Sequence, residues 1–183
     1  MEVAEGVYLV PDLLTPEECQ ELIVLTEARG YEAAPITTVS GFAMRPDIRN
    51  NTRVIVDDVE RAEALWRRGR DEIPGFLRGR QAIGLNERFR FYRYDPGERF
   101  APHRDGAYRR DNGETSLLTF LVYLNAGFEG GETIVERLSI TPRLGMSLIF
   151  EHQLLHEGAA VTSGRKYVLR SDVMYGRFGQ IRG

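Results

Sequence analysis

The side chains best suited to metal chemistry are few in this chain of 183 residues. It has three histidines, His103, His152 and His156, all in the C-terminal half. The first stands in the segment FAPHRDGAY, two positions before Asp105. On a strand, residues two apart point to the same face, so an imidazole and a carboxylate would lie side by side. A second histidine from a neighbouring strand would complete a set of two imidazoles and one carboxylate.

Such a set on one side of an octahedral ion is the facial triad of non-haem Fe(II) oxygenases, which leaves coordination positions open. The same donors also bind zinc in hydrolytic enzymes. A His-x-Asp pair alone is weak evidence for a metal site, because a histidine hydrogen-bonded to an aspartate in a turn has the same sequence pattern. The remaining ligand and its surroundings therefore decide the interpretation.

The third ligand has to be His152 or His156, in the segment IFEHQLLHEGAAV. They are four positions apart, so one strand would place both on one face. His156 precedes a turn at Ser163 and Gly164, and Lys166 follows it by ten positions. Lys166 is the one lysine among 24 basic residues. We favour His156 as the ligand, and we interpret His152 as a loop or rim histidine.

The N-terminal part is expected to support this site with helices. The segment VYLVPDLL indicates a short opening strand. A helix is predicted in TPEECQELIVLTEARG, with Thr15 as its N-cap and Pro16 at its first position. A second helix is predicted in DVERAEALWRRGRDEI, capped by Asp57 or Asp58. The segment PGFLRGRQAIGLN is interpreted as a shorter helix and a turn.

From about residue 86 the sequence changes to short strands separated by Gly, Pro or Asn. ERFRFYRYDPGERF alternates polar and aromatic residues, and TSLLTFLVYLN is a long apolar, β-rich run. The pattern predicts a sandwich or barrel. We expect one domain over residues 1–183, α+β but mainly β, with a helix-rich support region at 1–85 and a strand core at 86–176.

Composition and charge restrict the partners. The net charge is −3, which does not favour nucleic-acid binding, and no apolar run is long enough to span a bilayer. The acidic N-terminus does not resemble a signal peptide, so a cytoplasmic location is expected. Cys19 is the only cysteine, which excludes an internal disulfide. Seven arginines between residues 88 and 110 predict a salt-bridged strand face or, alternatively, a rim that attracts carboxylate substrates.

The ordered motifs of the C-terminal half resemble the prolyl-4-hydroxylase-like Fe(II)/2-oxoglutarate dioxygenases. These motifs are HRD at 103–105, GGET at 130–133, LGMSLIF at 144–150, HEG at 156–158 and GRKYVLRSDVMY at 164–175. The resemblance covers about residues 86–176, roughly half of the chain. It implies a double-stranded β-helix, or jelly roll, with the metal inside one mouth.

By this similarity, His103, Asp105 and His156 hold Fe(II). 2-Oxoglutarate and O2 are then the co-substrates, ascorbate is a candidate reductant, and succinate, CO2 and a hydroxylated C–H position are the products. Lys166 stands at the family's position for the distal carboxylate of 2-oxoglutarate, and a buried anion needs such a cation because an unpaired buried charge is costly. Related halogenases replace the carboxylate ligand with a small residue, so Asp105 favours hydroxylation.

Other pocket residues follow from the same similarity. Tyr94 and Tyr123 match tyrosines that contact the co-substrate, and Thr119 shares a strand face with Tyr123. Arg170 shares a face with Lys166 and is the alternative anchor for the distal carboxylate. Each of these side chains is also compatible with a purely structural role, such as an ion pair for Arg170.

The substrate is the feature on which the sequence says least. Asn51 and Arg53, in RPDIRNNTR, lie where relatives carry mobile loops, and they are candidates for substrate contact; the alternative is a solvated turn. The substrate classes are a prolyl or other side chain in a peptide, and a free amino acid or small metabolite. Monomer and homodimer both stay open.

Two other classes of function are compatible with these residues. A zinc hydrolase or isomerase would use the same ligands with Glu151 or Glu157 as its base, but it would give Lys166 no role. A non-enzymatic jelly-roll binding module would keep His103 and Asp105 for structure alone, and it would bind neither metal nor 2-oxoglutarate.

Overall fold

The structure is a computed structural model that describes residues 1–38 and 41–177. In this part of the chain the helices are α1 (Pro16–Arg29), α2 (Val59–Gly69) and a short 3-10 helix that follows α2 (Arg70–Glu72). Thr15 caps α1 and Asp58 caps α2, and each accepts a hydrogen bond from a main-chain N–H of the first turn. Both helices begin where the sequence predicted. No helix among the described residues is both long and apolar enough to cross a membrane.

The strands occur in both halves of the described chain. The first half contains β1 (Glu2–Ala4), β2 (Val7–Val10), β3 (Glu32–Ala33), β4 (Ile36–Thr38), β5 (Gly41–Ala43), β6 (Thr52–Asp57), β7 (Phe76–Leu77) and β8 (Arg80–Leu85). The second half contains β9 (Arg88–Tyr94), β10 (Phe100–His103), β11 (Thr115–Tyr123), β12 (Glu129–Gly130), β13 (Thr133–Val135), β14 (Leu138–Ile140), β15 (Ser147–Glu151), β16 (His156–Gly158), β17 (Val161–Ser163) and β18 (Lys166–Arg177).

Ten of the described strands form one antiparallel sheet, the main sheet. Its hydrogen-bonded order is β1-β2-β15-β11-β18-β9-β6-β3, with β8 beside β18 and β7 beside β8. A second antiparallel sheet, the small sheet, has the order β10-β16-β13-β14. Six strands of the main sheet, β1, β2, β3, β6, β7 and β8, come from the first 85 residues. The region expected to be helical support therefore also builds the sheet.

Both faces of the main sheet are buried. On one face, α1 and α2 pack through an apolar cluster that includes Leu22, Leu65 and Phe120. On the other face, a second cluster joins Phe150 of the main sheet to Val135 of the small sheet. Each fully buried side chain of this size contributes about 1.5–3 kcal/mol to folding. Two antiparallel sheets face to face, with helices behind one of them, form the mainly β jelly roll that the sequence predicted.

One predicted helix is wrong. PGFLRGRQAIGLN forms the hairpin of β7 and β8, joined by Arg78 and Gly79 at positive φ values of 52° and 72°. Positive φ at both positions matches the right-handed twist of the flanking strands. β8 then pairs with the end of β18, where Ala82 is opposite Tyr175. The glycines of this segment disfavour a helix, and pairing with β18 satisfies the main-chain groups of β8.

The face of the main sheet that looks towards the small sheet carries the candidate site. Alternation along the strands brings side chains from three neighbouring strands to this face. They are Tyr92 and Tyr94 from β9, Lys166, Val168 and Arg170 from β18, and Thr119 and Leu121 from β11.

Candidate metal centre and co-substrate pocket

His103, Asp105 and His156 converge at the mouth between the two sheets. β10 and β16 are neighbours in the small sheet, and His103 is paired with His156 across them. The three side chains can each offer a ligand atom within 4.8 Å of the others. The Asp105 carboxylate lies 3.7 Å from Nε2 of His103 and 3.4 Å from Nε2 of His156. The structure thus brings together the three residues that the sequence singled out.

Two details of this arrangement differ from the sequence prediction. β10 ends at His103, so Asp105 lies in the following loop rather than on the strand. The idea that one strand carries both His152 and His156 is wrong, because β15 ends before His152 and His156 begins β16 in the other sheet. The main-chain N–H of Asp105 donates to the His152 carbonyl at 3.0 Å, which holds the loop against this turn.

The two histidines of the cluster are arranged as metal ligands. Nδ1 of His103 lies 2.8 Å from the Ala101 carbonyl, and Nδ1 of His156 lies 3.0 Å from the Leu154 carbonyl. A carbonyl only accepts, so each Nδ1 carries the proton and each Nε2 presents a lone pair. Burial lowers the pKa of His103 to about 4, which keeps its imidazole neutral.

A cation fits between these groups. Two Nε2 lone pairs facing a carboxylate repel it, and a divalent metal bound by all three removes that repulsion. Two imidazoles and one carboxylate are the donor set of non-haem Fe(II) sites. Burial alone would raise the pKa of Asp105, but the Arg170 guanidinium, 3.0 Å away, and the Thr119 hydroxyl hold that pKa well below its usual range. Asp105 is therefore an anion at neutral pH.

Thr119 connects Asp105 to the third histidine. The Thr119 hydroxyl donates to Oδ2 of Asp105 at 2.5 Å and lies 2.9 Å from Nδ1 of His152. Because this hydroxyl has one proton, His152 must donate from Nδ1, and its Nε2 accepts from the Ser116 hydroxyl at 2.8 Å. His152 thus lies in the loop after β15, which is one of the two places that the sequence suggested, but it is buried rather than at the rim.

Removing the Thr119 hydroxyl should therefore weaken metal binding. We expect Thr119→Val, which keeps the shape, to lower the affinity for Mn(II) by about 10- to 100-fold, the usual effect of losing a partner that orients a ligand. Thr119→Ser should retain near wild-type affinity. Calorimetric titration measures both variants, and equal affinity of the Val and Ser variants would contradict this role.

A cleft of about 450 Å³, counting the part open to solvent, extends from the three ligands between the sheets. Lys166 lines its inner part and is 3% exposed. Its Nζ donates to the Gly131 carbonyl at 2.5 Å and lies 5.3 and 5.4 Å from the ring centres of Tyr94 and Tyr123. Burial lowers the pKa of Lys166 to about 7. Gly131 and its neighbour Gly130 have positive φ, so GGET is a turn, as predicted.

The other predicted pocket residues divide into two groups. Tyr94 lines the cleft. The Tyr123 hydroxyl is turned away to Thr133 at 2.8 Å, and the Thr119 hydroxyl is occupied by Asp105 and His152. Arg170 lines the cleft as well, but it is already paired with Asp105 at 3.0 Å and with Asp172 at 3.4 Å.

Neither of the predicted substrate residues, Asn51 and Arg53, lines the cleft. Asn51 is 1% exposed, and its Oδ1 accepts from Nε of Arg49 at 2.7 Å, so it orients an arginine. Arg53 is opposite Tyr92 in the pairing of β6 with β9, which puts the two side chains on the same face. Arg49, Tyr92 and Phe100 were not predicted as site residues. Arg49 is two positions from Asn51, Tyr92 is two from Tyr94 and Phe100 is three from His103, and this proximity is the indication that the sequence contains.

The arginines predicted to form a salt-bridged face mostly do so. Arg88 pairs with Asp57 at 2.9 Å, and Arg93 pairs with Glu27 at 3.2 Å. Arg110 pairs with Glu114 at 2.6 Å. The charges of these groups are therefore balanced locally.

Comparison with known proteins agrees with this geometry. Residues 89–171 match the model of the 2OG-Fe(II) oxygenase superfamily. Prolyl 4-hydroxylase 1 of Arabidopsis thaliana is 24% identical over 188 residues, which cover 88% of this chain and 66% of that protein. The chain thus spans just under two thirds of the length of this curated relative.

Solved structures share the fold. The viral collagen prolyl hydroxylase from Paramecium bursaria Chlorella virus-1, in its 2OG complex, has a TM-score of 0.65 at 22% identity, covering 94% of this chain and 99% of that one. A Trichoplax adhaerens prolyl hydroxylase in complex with a hypoxia inducible factor peptide fragment has a TM-score of 0.68 at 17% identity, covering 92% of this chain and 83% of that one. With its jelly roll, its His-Asp-His cluster and the match over residues 89–171, the chain resembles the prolyl-4-hydroxylase-like members of the 2OG-Fe(II) oxygenase superfamily.

Proposed function

We propose that the protein is an Fe(II)- and 2-oxoglutarate-dependent dioxygenase that hydroxylates a prolyl or other amino-acid C–H bond. The observation that carries this proposal is the cleft itself. Two histidine lone pairs and Asp105 converge on the cleft, and Lys166 also lines it as a buried basic group with no carboxylate of the described residues within 4.0 Å. The Arabidopsis relative and the viral and Trichoplax structures carry the names of prolyl hydroxylases, which supports the prolyl substrate.

In this proposal His103, Asp105 and His156 hold Fe(II), which supplies activation of O2 coupled to decarboxylation of 2-oxoglutarate to succinate and CO2. The residues of the chain orient the metal ligands and restrict the access of water. The Nδ1–carbonyl bonds keep both imidazoles in the ligating tautomer, and Thr119 keeps Asp105 turned towards them. Apolar walls that include Phe150 limit the access of water.

Lys166 is the proposed anchor for the distal carboxylate of 2-oxoglutarate. A dicarboxylate in this cleft needs a cation, and an ammonium buried without a counter-ion needs an anion equally. Arg170 is the weaker candidate, because two carboxylates already neutralise it. Tyr94 lines the cleft beside Lys166 and is placed to donate its hydroxyl proton to the same carboxylate. We propose no co-substrate contact for Thr119 or Tyr123, whose hydroxyls are already bonded.

Lys166 predicts how pH affects co-substrate binding. Its folded-state pKa of about 7 is below that of an unfolded lysine, about 10.4. The Lys166 side chain of the free protein is therefore mostly charged only below pH 7. There, burial of the charge destabilises the fold, and this destabilisation decreases as pH rises from about 7 towards 10.4. We expect the Kd for 2-oxoglutarate to rise about tenfold per pH unit above pH 7, because the neutral Lys166 amine must take up a proton when the anion binds.

Calorimetric titration of 2-oxoglutarate into the Mn(II) protein between pH 7 and 9 measures this effect. Lys166→Arg is the control, since a guanidinium keeps its proton over this range. The Kd of that variant should change little with pH. A wild-type Kd that is independent of pH would contradict the assignment.

Spectroscopy and product analysis test the function directly. Under nitrogen, Fe(II) and 2-oxoglutarate should together produce a metal-to-ligand charge-transfer band, and admission of O2 with a prolyl peptide should yield succinate and hydroxyproline. Zinc binding without this band would favour the hydrolase, and binding of neither metal nor 2-oxoglutarate would favour the binding module. The hydrolase has little support, because its candidate base Glu151 is paired with Arg78 at 2.5 Å and only Glu157 lines the cleft.

Several expectations from the sequence complete this proposal. We propose that residues 1–183 form one domain, which is supported by the main sheet having strands from both halves of the chain. Ascorbate as reductant, a cytoplasmic location, and the absence of nucleic-acid and membrane partners stay predictions, and monomer and homodimer both stay open.

A further inference from the structure

A second buried cation lies against the cleft wall: the Arg49 guanidinium packs on Tyr92 and Phe100, which line the cleft, but Arg49 itself does not line it. Arg49 is 4% exposed, and among the described residues the hydrogen bond that its guanidinium makes is from Nε to Oδ1 of Asn51. Its Nη2 is fully buried and has no partner. Among the described residues, no carboxylate lies within 4.0 Å of this guanidinium. A buried charge without a partner is costly, so a ligand that supplies an anion would bind strongly.

Arg49 lies next to the proposed metal centre. Its guanidinium carbon is 4.3 Å from the ring centre of Tyr92 and 4.4 Å from that of Phe100, and both rings line the cleft. The Phe100 ring is stacked on His103, with the ring centres 3.6 Å apart. One aromatic ring therefore separates the guanidinium from a proposed metal ligand. A group bound by Arg49 would therefore lie close to the proposed metal centre.

The surroundings of Arg49 carry an excess of positive charge. Arg53 is opposite Tyr92 on the same face, and it has no carboxylate within 4.0 Å among the described residues. Glu32 is opposite Arg53 on the edge strand β3 without forming an ion pair with it. Burial alone would raise the pKa of Tyr92, but Arg49 and two further arginines lower it to about 8.

The nearby carboxylates do not remove this excess. Asp172 is shared by Arg90 at 3.3 Å and Arg170 at 3.4 Å. Asp105 pairs with Arg170 at 3.0 Å and faces the histidines. Neither acid is free for Arg49 or Arg53. A cleft with uncompensated cations attracts anions.

We propose that Arg49, assisted by Arg53 at the rim, binds a carboxylate of the substrate, carried by the hydroxylated residue or its immediate neighbour. This rests on the proposed function and names its substrate class: a free amino acid, a C-terminal residue, or a residue beside an acidic side chain. The carboxylates of 2-oxoglutarate have other partners, since the proposed metal takes one and Lys166 the other. Arginine suits this task because its planar guanidinium can donate two parallel hydrogen bonds to the two oxygens of a carboxylate.

Matched pairs of ligands test the proposal. Acetyl-glycyl-proline and its amide differ only in the carboxylate, and acetyl-aspartyl-proline amide places the charge on a side chain instead. Each is titrated into the protein loaded with Mn(II) and 2-oxoglutarate, and equivalent pairs built on other amino acids follow. We expect at least one acid to bind about 10- to 100-fold tighter than its amide. The aspartyl compound distinguishes a side-chain carboxylate from an α-carboxylate.

Variants assign the effect to Arg49. Arg49→Gln should remove the preference for the acid, Arg49→Lys should keep part of it, and Arg53→Gln should weaken it. Arg45→Gln is the matched control, because Arg45 belongs to the same segment but is exposed and paired with Asp47 at 2.6 Å. The charge-transfer band with Fe(II) and 2-oxoglutarate should be unchanged in Arg49→Gln, which also shows that this variant folds.

The outcomes separate the two proposals. A missing charge-transfer band in the wild-type protein would overturn the dioxygenase function, while the difference between acid and amide in the Mn(II) titrations still decides the carboxylate site. If no acid binds more tightly than its amide, or if Arg49→Gln keeps the preference, the carboxylate site is wrong.

Discussion

Lys166→Met should abolish saturable binding of 2-oxoglutarate while leaving metal binding intact. Among the described residues, Lys166 and Arg170 are the basic residues that line the cleft, and Lys166 is bonded to the Gly131 carbonyl and has no carboxylate within 4.0 Å. Removing one partner of a buried ion pair costs about 3–5 kcal/mol, which corresponds to an increase of roughly 10²- to 10³-fold or more in the Kd for 2-oxoglutarate. Calorimetry on the Mn(II) protein measures this loss, and an unchanged Kd would transfer the role to Arg170.

The same substitution should have the opposite effect on the stability of the free protein. Without co-substrate, Lys166 is an ammonium buried at 3% exposure, and replacement of such a charge by an apolar side chain of similar length is often neutral or stabilising by about 1–4 kcal/mol. The free energy of unfolding at pH 6 should therefore be equal to or higher than that of the wild-type protein. A large loss of stability would show that the ammonium serves the fold rather than the ligand.

His156→Ala should abolish metal binding. His156 is one of three donors, and Asp105 and His103 alone leave an incomplete set. The loss of affinity for Fe(II) or Mn(II) should exceed the roughly 100-fold upper limit that is usual for partners outside the coordination sphere. Neither the charge-transfer band nor succinate should then form, and near-wild-type metal affinity in this variant would show that His156 is not a ligand.

His152→Ala is the matched control for this experiment. His152 is equally buried and only four positions away, but it reaches the centre through Thr119. We expect this variant to bind metal more weakly than the wild-type protein and to keep a saturable site. Complete loss of the metal in His152→Ala, with retention in His156→Ala, would reverse the ligand assignment.

Local rules explain what the sequence predicted correctly. The start of α1 depends on a capping box between Thr15 and Glu18, three positions apart, so it is readable without tertiary contacts. The cap of α2 by Asp58 is equally local. Such short-range features can be predicted from the sequence because they do not depend on tertiary contacts.

Long-range pairing explains the failures. PGFLRGRQAIGLN is a hairpin because β8 pairs with β18, some ninety residues later in the chain. The burial of His152 was not predicted because its partners, Thr119 and Ser116, are more than thirty positions away. Neither contact leaves a local pattern in the sequence.

The sequence by itself therefore indicated the candidate chemistry: two histidines, an aspartate and a lone lysine in an order that resembles one superfamily. The tertiary structure alone decided how the charges are balanced. It pairs Arg170 with two aspartates, and among the described residues it leaves Arg49 and Lys166 with no carboxylate within 4.0 Å. The physical reason is that an ion pair depends on which strands become neighbours, and burial then sets how much each unpaired charge matters.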